Sequence, residues 1–415
     1  MSRRNLNLVL LWIGQFVSAT GDAFFSTCVG FLALFLLARH GGPDAGIAVG
    51  ITRSIDALPF LLFGAYAGVL VDRFSRKKIL LVSDFSRGLI LAFVPTLFFA
   101  GLLAWWMLPL AAFALYSFST LFNPARDSLI PRLAEGANLL RVNSLFQTSG
   151  QLAMILGATL VGLAIPGAAG EITQTQADRM AWLLAVDAAT FFFCFICISF
   201  IVVPGAAQTT QIRRESSLHD LLDSLRFALR DARLRALLFL TAVDNFFIMG
   251  PAIVGGQFLI LHEFKLGPAE YGWFEGTLAL GWFLGTILIV RLAPRLKTGH
   301  LVLAGMLLDG LTYIPFLWIT GYGTALVFIF AHGLSIPLIT VGRTTMIQRY
   351  YPNERLGRIF SLVAITVQGF TALSAFATGM ALGWLNAREL FFLAGVFGAA
   401  CGVLGLVFKS LRQTP

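Results

Sequence analysis

Long, unbroken apolar stretches separated by short polar loops recur from one end of this chain to the other. That pattern narrows the architecture before any motif is read. In a bilayer every backbone polar group must be satisfied within the protein, which leaves helices and closed barrels. A barrel strand alternates apolar and polar residues over about ten positions, and these stretches do not alternate. A spanning helix needs about 20 apolar residues, and the stretches have that length. Twelve spans are expected, at about 7–37, 46–71, 79–101, 105–126, 142–165, 181–203, 236–261, 271–293, 300–319, 323–345, 358–384 and 389–408. The fold class is therefore an all-α integral membrane protein with twelve transmembrane helices.

Composition excludes the alternatives. Of the 415 residues 57% are hydrophobic and 12% charged, against about 45–50% and about 25% in a soluble domain. An ordinary soluble enzyme does not fit, and 39 Phe residues argue against disorder. The first apolar stretch is too long for a signal-peptide core and reads as a retained span. Cys28, Cys194, Cys197 and Cys401 all fall in apolar stretches and read as small buried hydrophobes. Cys194 and Cys197 lack a nearby His or second Cys pair, so no metal site is expected.

The longest polar interruption, residues 204–235, divides the chain into an N-terminal bundle of six helices (1–203) and a C-terminal one (236–415). Leu218, Leu221, Leu222, Leu225 and Leu229 recur through it at helical spacing, which predicts an amphipathic helix on the membrane surface. Basic residues fix the orientation. With the N-terminus inside, only Arg39, Arg53, Arg179, Lys265 and Arg388 fall on or near the outer side, and Arg87 lies within span 3. The remaining Lys and Arg crowd the inner loops, as cytoplasmic loops do. Both termini are expected in the cytoplasm, in a bacterial inner membrane. This bias explains the net charge of +9 without nucleic acid as a partner.

The halves repeat one another. Asp22-Ala-Phe-Phe25 in span 1 matches Asp244-Asn245-Phe-Phe in span 7, at an offset of 222. Around spans 4–5 and 10–11 an offset of 217 pairs Arg126 with Arg343, Arg132 with Arg349, Arg141 with Arg358 and Gln151 with Gln368. Two parallel six-span repeats with a site between them are a transporter architecture.

Between spans 2 and 3 the chain reads Gly68-Val-Leu-Val-Asp72-Arg73-Phe-Ser-Arg76-Lys77-Lys78. This resembles motif A of the major facilitator superfamily, G-x-L-x-D-R-x-G-R-[RK], with Ser75 at the usual glycine. The resemblance implies two pseudo-symmetric bundles, and a cytoplasmic gate built from Gly68, Asp72, Arg73, Arg76 and Lys77. A second segment, Phe122-Asn-Pro124-Ala125-Arg126 through Pro131 and Asn143-Ser144-Leu145, is similar to the macrolide-efflux and siderophore-exporter branch. The glycine-proline signature of antiporters expected in span 5 is weak, with Ala158 at the proline.

Acids inside the spans carry the functional expectations. A charge at the bilayer centre costs about 2.5–3.5 kcal/mol on insertion scales and marks a pathway or proton relay. Seven are present: Asp22, Asp56, Asp84, Asp187, Asp244, Glu275 and Asp309. Asp22, at mid-span, is the first candidate for proton coupling or substrate contact. Its repeat partner Asp244, the flanking Phe25 and Asn245, and His332 in span 10 complete the expected cavity. Gln151, Gln368, Arg126 and Arg343 are expected on the helices where the halves meet. Arg53 and Glu275 are expected to close the outer face, with Arg53–Asp56 pairing as the plainer alternative. Asp84, Arg87 and Asp127 are expected to anchor helix ends.

The expected function is a secondary active transporter that exports a small lipophilic or amphiphilic molecule by alternating access. Proton antiport is its expected energy source. The alternatives on the same fold are a lysophospholipid flippase and a metabolite importer. No Walker A sequence is present, and neither H-E-x-x-H nor G-x-S-x-G occurs, so neither an ATP-driven pump nor an enzyme is expected. No cofactor is expected. The partners are the substrate and the bilayer, and one chain carrying both halves is expected to act as a monomer.

Overall fold

The computed structural model describes residues 3–133, 139–165, 172–203, 225–292, 297–351 and 353–412. Among them there is no strand, and twelve helical spans run in order. Span 1 is Arg3–His40, span 2 Ala45–Ile55 with Leu58–Arg73, span 3 Arg76–Phe99, span 4 Met107–Leu133, span 5 Leu139–Ala164 and span 6 Gln174–Ser199. Span 7 is Ala232–Gly250 and its continuation to Glu263, span 8 Pro268–Leu292, span 9 Thr298–Tyr313 with Ile314–Leu317, span 10 Tyr322–Tyr350, span 11 Asn353–Ala381 and span 12 Ala387–Gly405. Ten of these are long and apolar enough to cross a membrane. Span 5 contributes a shorter apolar helix, Thr148–Ala164. Span 4 is the other exception, and its polar face is the one that lines the site described below.

Three spans depart from the uniform helices expected, each at a proline. Span 2 breaks at Asp56–Ala57, where Pro59 cannot donate to the preceding turn. Span 7 widens into π turns at Pro251–Gly255 and Leu259–Glu263 around Gly256–Phe258. Span 9 tightens into a 3-10 turn containing Pro315. Side-chain caps start several others. Thr173 and Gln176 form a capping box at span 6, Asn386 and Glu389 another at span 12, and Asp231 accepts from Leu234 N–H at 2.7 Å at span 7. Of the linker, residues 225–230 are helical with Leu225 and Leu229 exposed, while Leu218, Leu221 and Leu222 lie outside the described residues.

One end of the molecule carries the start of span 1, the loop at 74–75 and the 225–231 segment; we call it the basic end, and the opposite end the far end. Buried apolar residues distinguish the two. At the far end a single cluster runs continuously through both halves, from Phe31 and Val49 to Phe258, Tyr271, Phe316 and Phe391. At the basic end each half has a core of its own, around Leu11, Leu80 and Phe122 in one and Leu237, Met306 and Met346 in the other. The halves are thus joined at the far end and separate towards the basic end.

Glycine makes the joint possible. Span 2 crosses span 11 so closely that a Cβ on Gly50 would lie 3.0 Å from the Ala375 carbonyl and from Gly379 Cα. Span 5 crosses span 8 in the same way, where a Cβ on Gly272 would meet the Ala158 carbonyl at 2.8 Å. Replacing Gly50 by leucine should hold the far end apart. Ala48 is fully buried beside it. An Ala48→Cys probe should react with a membrane-impermeant maleimide several-fold faster in the Gly50→Leu background. The native cysteines are all buried and form a quiet background.

Candidate functional site in the N-terminal half

Span 1 presents Gln15, Ser18, Ala19 and Asp22 at intervals of three and four residues, which places them on one helical face. Span 4 opposes it with Tyr116, Ser119, Phe122, Asn123 and Arg126, again at helical spacing. Phe60 of span 2 and Arg87 of span 3 complete the wall of a cavity of about 240 Å³. Asp22 is exposed into it.

The cations of this wall are already engaged. Arg87 forms an ion pair with Asp84, one turn earlier on span 3, and both are buried. Its guanidinium is held between the rings of Phe122 and Phe191, 4.4 Å from each centroid. Desolvated contacts of that kind are worth about 2 kcal/mol or more. Arg126 donates to Gln15 Oε1 at 3.0 Å and pairs with Asp127 at 2.8 Å. Among the described residues no cation lies within ion-pair distance of Asp22. Its carboxylate is the uncommitted charge of the cavity.

Asp187 stands directly behind it. Gly21 lets span 1 approach span 6 so closely that a Cβ there would strike the Asp187 carboxylate and Thr190 hydroxyl. Asp187 is fully buried, accepts from Thr190 Oγ1 at 3.3 Å, and has no partner for Oδ2. The acids of spans 1, 3 and 6 therefore converge on one region of the N-terminal half.

The remaining expected residues divide clearly. Phe25 is buried behind the cavity wall, its ring edge-to-face with Tyr116 at 6.2 Å. Asn245 donates to the Thr241 carbonyl at 2.8 Å, one turn back on its own helix. His332 is buried in the C-terminal half, 3.4 Å from Asp309 and stacked on Tyr313. Asp244 is buried with Arg343 and Asp309 as the charges that act on it. Arg126 is engaged by Gln15 and Asp127 within its own half, and Arg343 is half-buried on span 10. Gln151 and Gln368 are half-buried, and Gln151 Oε1 has no hydrogen-bond partner.

At the far end Arg53 donates to the Ser26 carbonyl and lies 3.8 Å from Asp56. Glu275 lies across the joint on span 8, so the ion pair of Arg53 at this end is with Asp56 of its own span. At the basic loop Arg76 donates to Ser128 Oγ at 3.0 Å and Lys77 to the Ser199 carbonyl at 2.7 Å, both within the N-terminal half. The surroundings of Gly68 and the side chains of Asp72 and Arg73 lie outside what the structure describes.

Comparison with known proteins places the chain. The model of the Major Facilitator Superfamily matches residues 11–259 and 237–415. The chain belongs to the major facilitator superfamily. It is 26% identical to the uncharacterized MFS-type transporter YfiS of Bacillus subtilis, over 99% of this chain and 95% of that protein. It is 22% identical to macrolide efflux protein A of Streptococcus pyogenes, over 98% and 97% respectively. In structure it is similar to the nucleoside transporter NupG, with a TM-score of 0.78 at 11% identity, over 97% of this chain and all of that one. This superfamily member is a membrane transporter, not an enzyme, and its relatives include an efflux protein.

Sequence reasoning assigned Arg87 to a helix end and left Asp187 unplaced; both prove to belong to the surroundings of Asp22. Gln15, Tyr116, Ser119 and Asn123 were missed altogether. The available signal was their three-to-four spacing on spans 1 and 4. Because the Asp84–Arg87 pair is buried, Asp84→Asn should cost about 3–5 kcal/mol by stranding the guanidinium. The double variant Asp84→Asn with Arg87→Gln should recover much of that loss. Thermal unfolding of the purified protein in detergent measures both.

Proposed function

We propose that this protein exports a small amphiphilic molecule from a bacterial cell by alternating access, coupled to proton entry through Asp22. The observation that carries this reading is the exposed, uncommitted carboxylate of Asp22 in an otherwise neutralised cavity wall. A carboxylate in that position can hold either a proton or a positively charged group of a ligand, and the two compete. That competition is what antiport requires. Aromatic rings from Phe60, Tyr116 and Phe122 offer apolar and π faces to the rest of the molecule.

The two six-span halves are the bodies that rock, about the joint at their far ends. The basic end is the cytoplasmic one, by the bias of Lys and Arg. The cleft between the separate cores then opens to the cytoplasm, where an exporter loads. Both termini lie on that side of the inner membrane. The likeness to macrolide efflux protein A favours export and suggests a macrolide as the first substrate to try. The proton gradient supplies the energy without a cofactor, and a single chain suffices.

The test uses proteoliposomes with an imposed pH gradient and a panel containing a radiolabelled macrolide and lipophilic organic cations. Wild-type protein should concentrate at least one of them against its gradient. Asp22→Asn should abolish that accumulation while the protein remains folded. Accumulation by Asp22→Asn equal to wild type would remove Asp22 from the coupling.

A further inference from the structure

The Asp22 cavity holds more than one free acid. Two contacts set how spans 1 and 4 face each other. Arg126 donates to Gln15 Oε1 at 3.0 Å towards the basic end, and the Phe25 and Tyr116 rings meet at 6.2 Å towards the far end. Between these contacts span 1 advances by ten residues while span 4 steps back by ten. The two helices are therefore antiparallel and in step over about 15 Å, at a rise of 1.5 Å per residue. The cavity lies between these two rungs. The register puts Ser119 opposite Asp22. It puts Asn123 opposite Ser18, one turn or about 6 Å nearer the basic end.

The polar groups of span 4 differ in what they leave free. Ser119 Oγ donates to the Leu115 carbonyl at 3.1 Å and accepts from Arg87 Nη1 at 3.5 Å, so this hydroxyl is committed. Arg126 is committed to Gln15 and Asp127. The half-buried Asn123 side chain makes no hydrogen bond among the described residues. Its amide brings two donors and an acceptor to the cavity. Volume decides how much of a ligand the slot holds. Drug-sized ligands fill pockets of about 300–1,000 Å³. At about 240 Å³ this slot takes only a head group. That head needs a cation for Asp22 and, within one turn, an oxygen for Asn123. The rings of Phe60 and Tyr116 line the same slot and suit the alkyl groups of a substituted amine.

We propose that Asn123 is a specificity-determining residue of this transporter, which reads a hydroxyl on the carbon next to the protonated amine held by Asp22. The substrate is then an amphiphile with an amino-alcohol head, and its apolar remainder lies outside the slot. This deepens the reading of Asp22 as a substrate-contacting acid and rests on it. The selectivity comes from desolvation. A head with the hydroxyl replaces the water lost from the Asn123 amide, whereas a head without it strands that amide. Sites built to hydrogen-bond a substrate hydroxyl reject analogues that lack it far more strongly than apolar pockets reject a missing methylene.

The test compares two ligands of one shape, trans-2-(dimethylamino)cyclohexanol and N,N-dimethylcyclohexylamine. Their binding to the full chain in lipid nanodiscs is measured by ligand-observed NMR titration near neutral pH, where both are protonated. Wild-type protein should bind the amino alcohol about ten-fold or more tightly than the plain amine. Asn123→Leu should bring the two affinities within about two-fold, by weakening the amino alcohol. Asn123→Ser keeps a smaller hydrogen-bonding group and should retain part of the preference, which serves should the leucine variant fail to fold. Asp22→Asn should weaken both ligands alike. Equal wild-type affinities, binding of neither ligand, or a preference unchanged in both Asn123 variants overturns the proposal. If both ligands still lose affinity in Asp22→Asn, the reading of Asp22 stands without it. Binding that Asp22→Asn leaves unchanged overturns the proposal together with the substrate contact at Asp22 on which it rests.

Discussion

Everything else in this molecule depends on the far-end joint. Spans 2 and 11, and spans 5 and 8, cross with glycine backbone against backbone, at distances that a single Cβ would disturb. Around these crossings the apolar residues of both halves form one continuous cluster, while towards the basic end they separate into two. Membrane helices have no hydrophobic drive to associate, so close packing of small residues is what joins them. Side chains reinforce the crossings, as where the Phe31 ring of one half meets the Tyr271 ring of the other edge-to-face at 5.3 Å. Towards the other end each half keeps a core of its own.

Within that frame most charges around the Asp22 cavity are already paired. Asp84 and Arg87 neutralise one another inside the wall, with Phe122 and Phe191 fixing the guanidinium from both faces. Arg126 is occupied by Gln15 and Asp127. The cavity is left with one exposed acid, Asp22, and with Asp187 behind it. The C-terminal half has its own acids on the corresponding first and third spans, Asp244 and Asp309, and the arginine Arg343 that repeats Arg126. In that half a histidine stands beside the acid of the third span, where the N-terminal half uses Arg87.

Much of this was legible in the sequence, for physical reasons. Twelve spans can be counted because insertion demands long apolar stretches, and the two halves align because their acids and arginines sit at near-constant offsets. Motif A and the efflux-like segment pointed to the superfamily that the family match then established. Asp22 could be found because charge at mid-span is costly and therefore conspicuous. What stayed hidden was azimuth. A span that is apolar all round carries no stripe to show which face is buried, so nothing marked His332 as a neighbour of Asp309. Nor could the pattern show Arg87 reaching the cavity or Asp187 pressing on Gly21. The proline breaks in spans 2, 7 and 9 were visible as residues, but the wide and tight turns they produce depend on neighbouring helices.

The central claim is that Asp22 lies in a cleft reached from the basic end while the far end is shut. It is tested most directly by placing a cysteine at Asp22 and labelling it with a membrane-impermeant maleimide in sealed vesicles of each orientation. Asp22→Cys should be labelled quickly when the basic end faces the reagent, and much more slowly when the far end does. Faster labelling from the far end, or none from either side, would contradict the account.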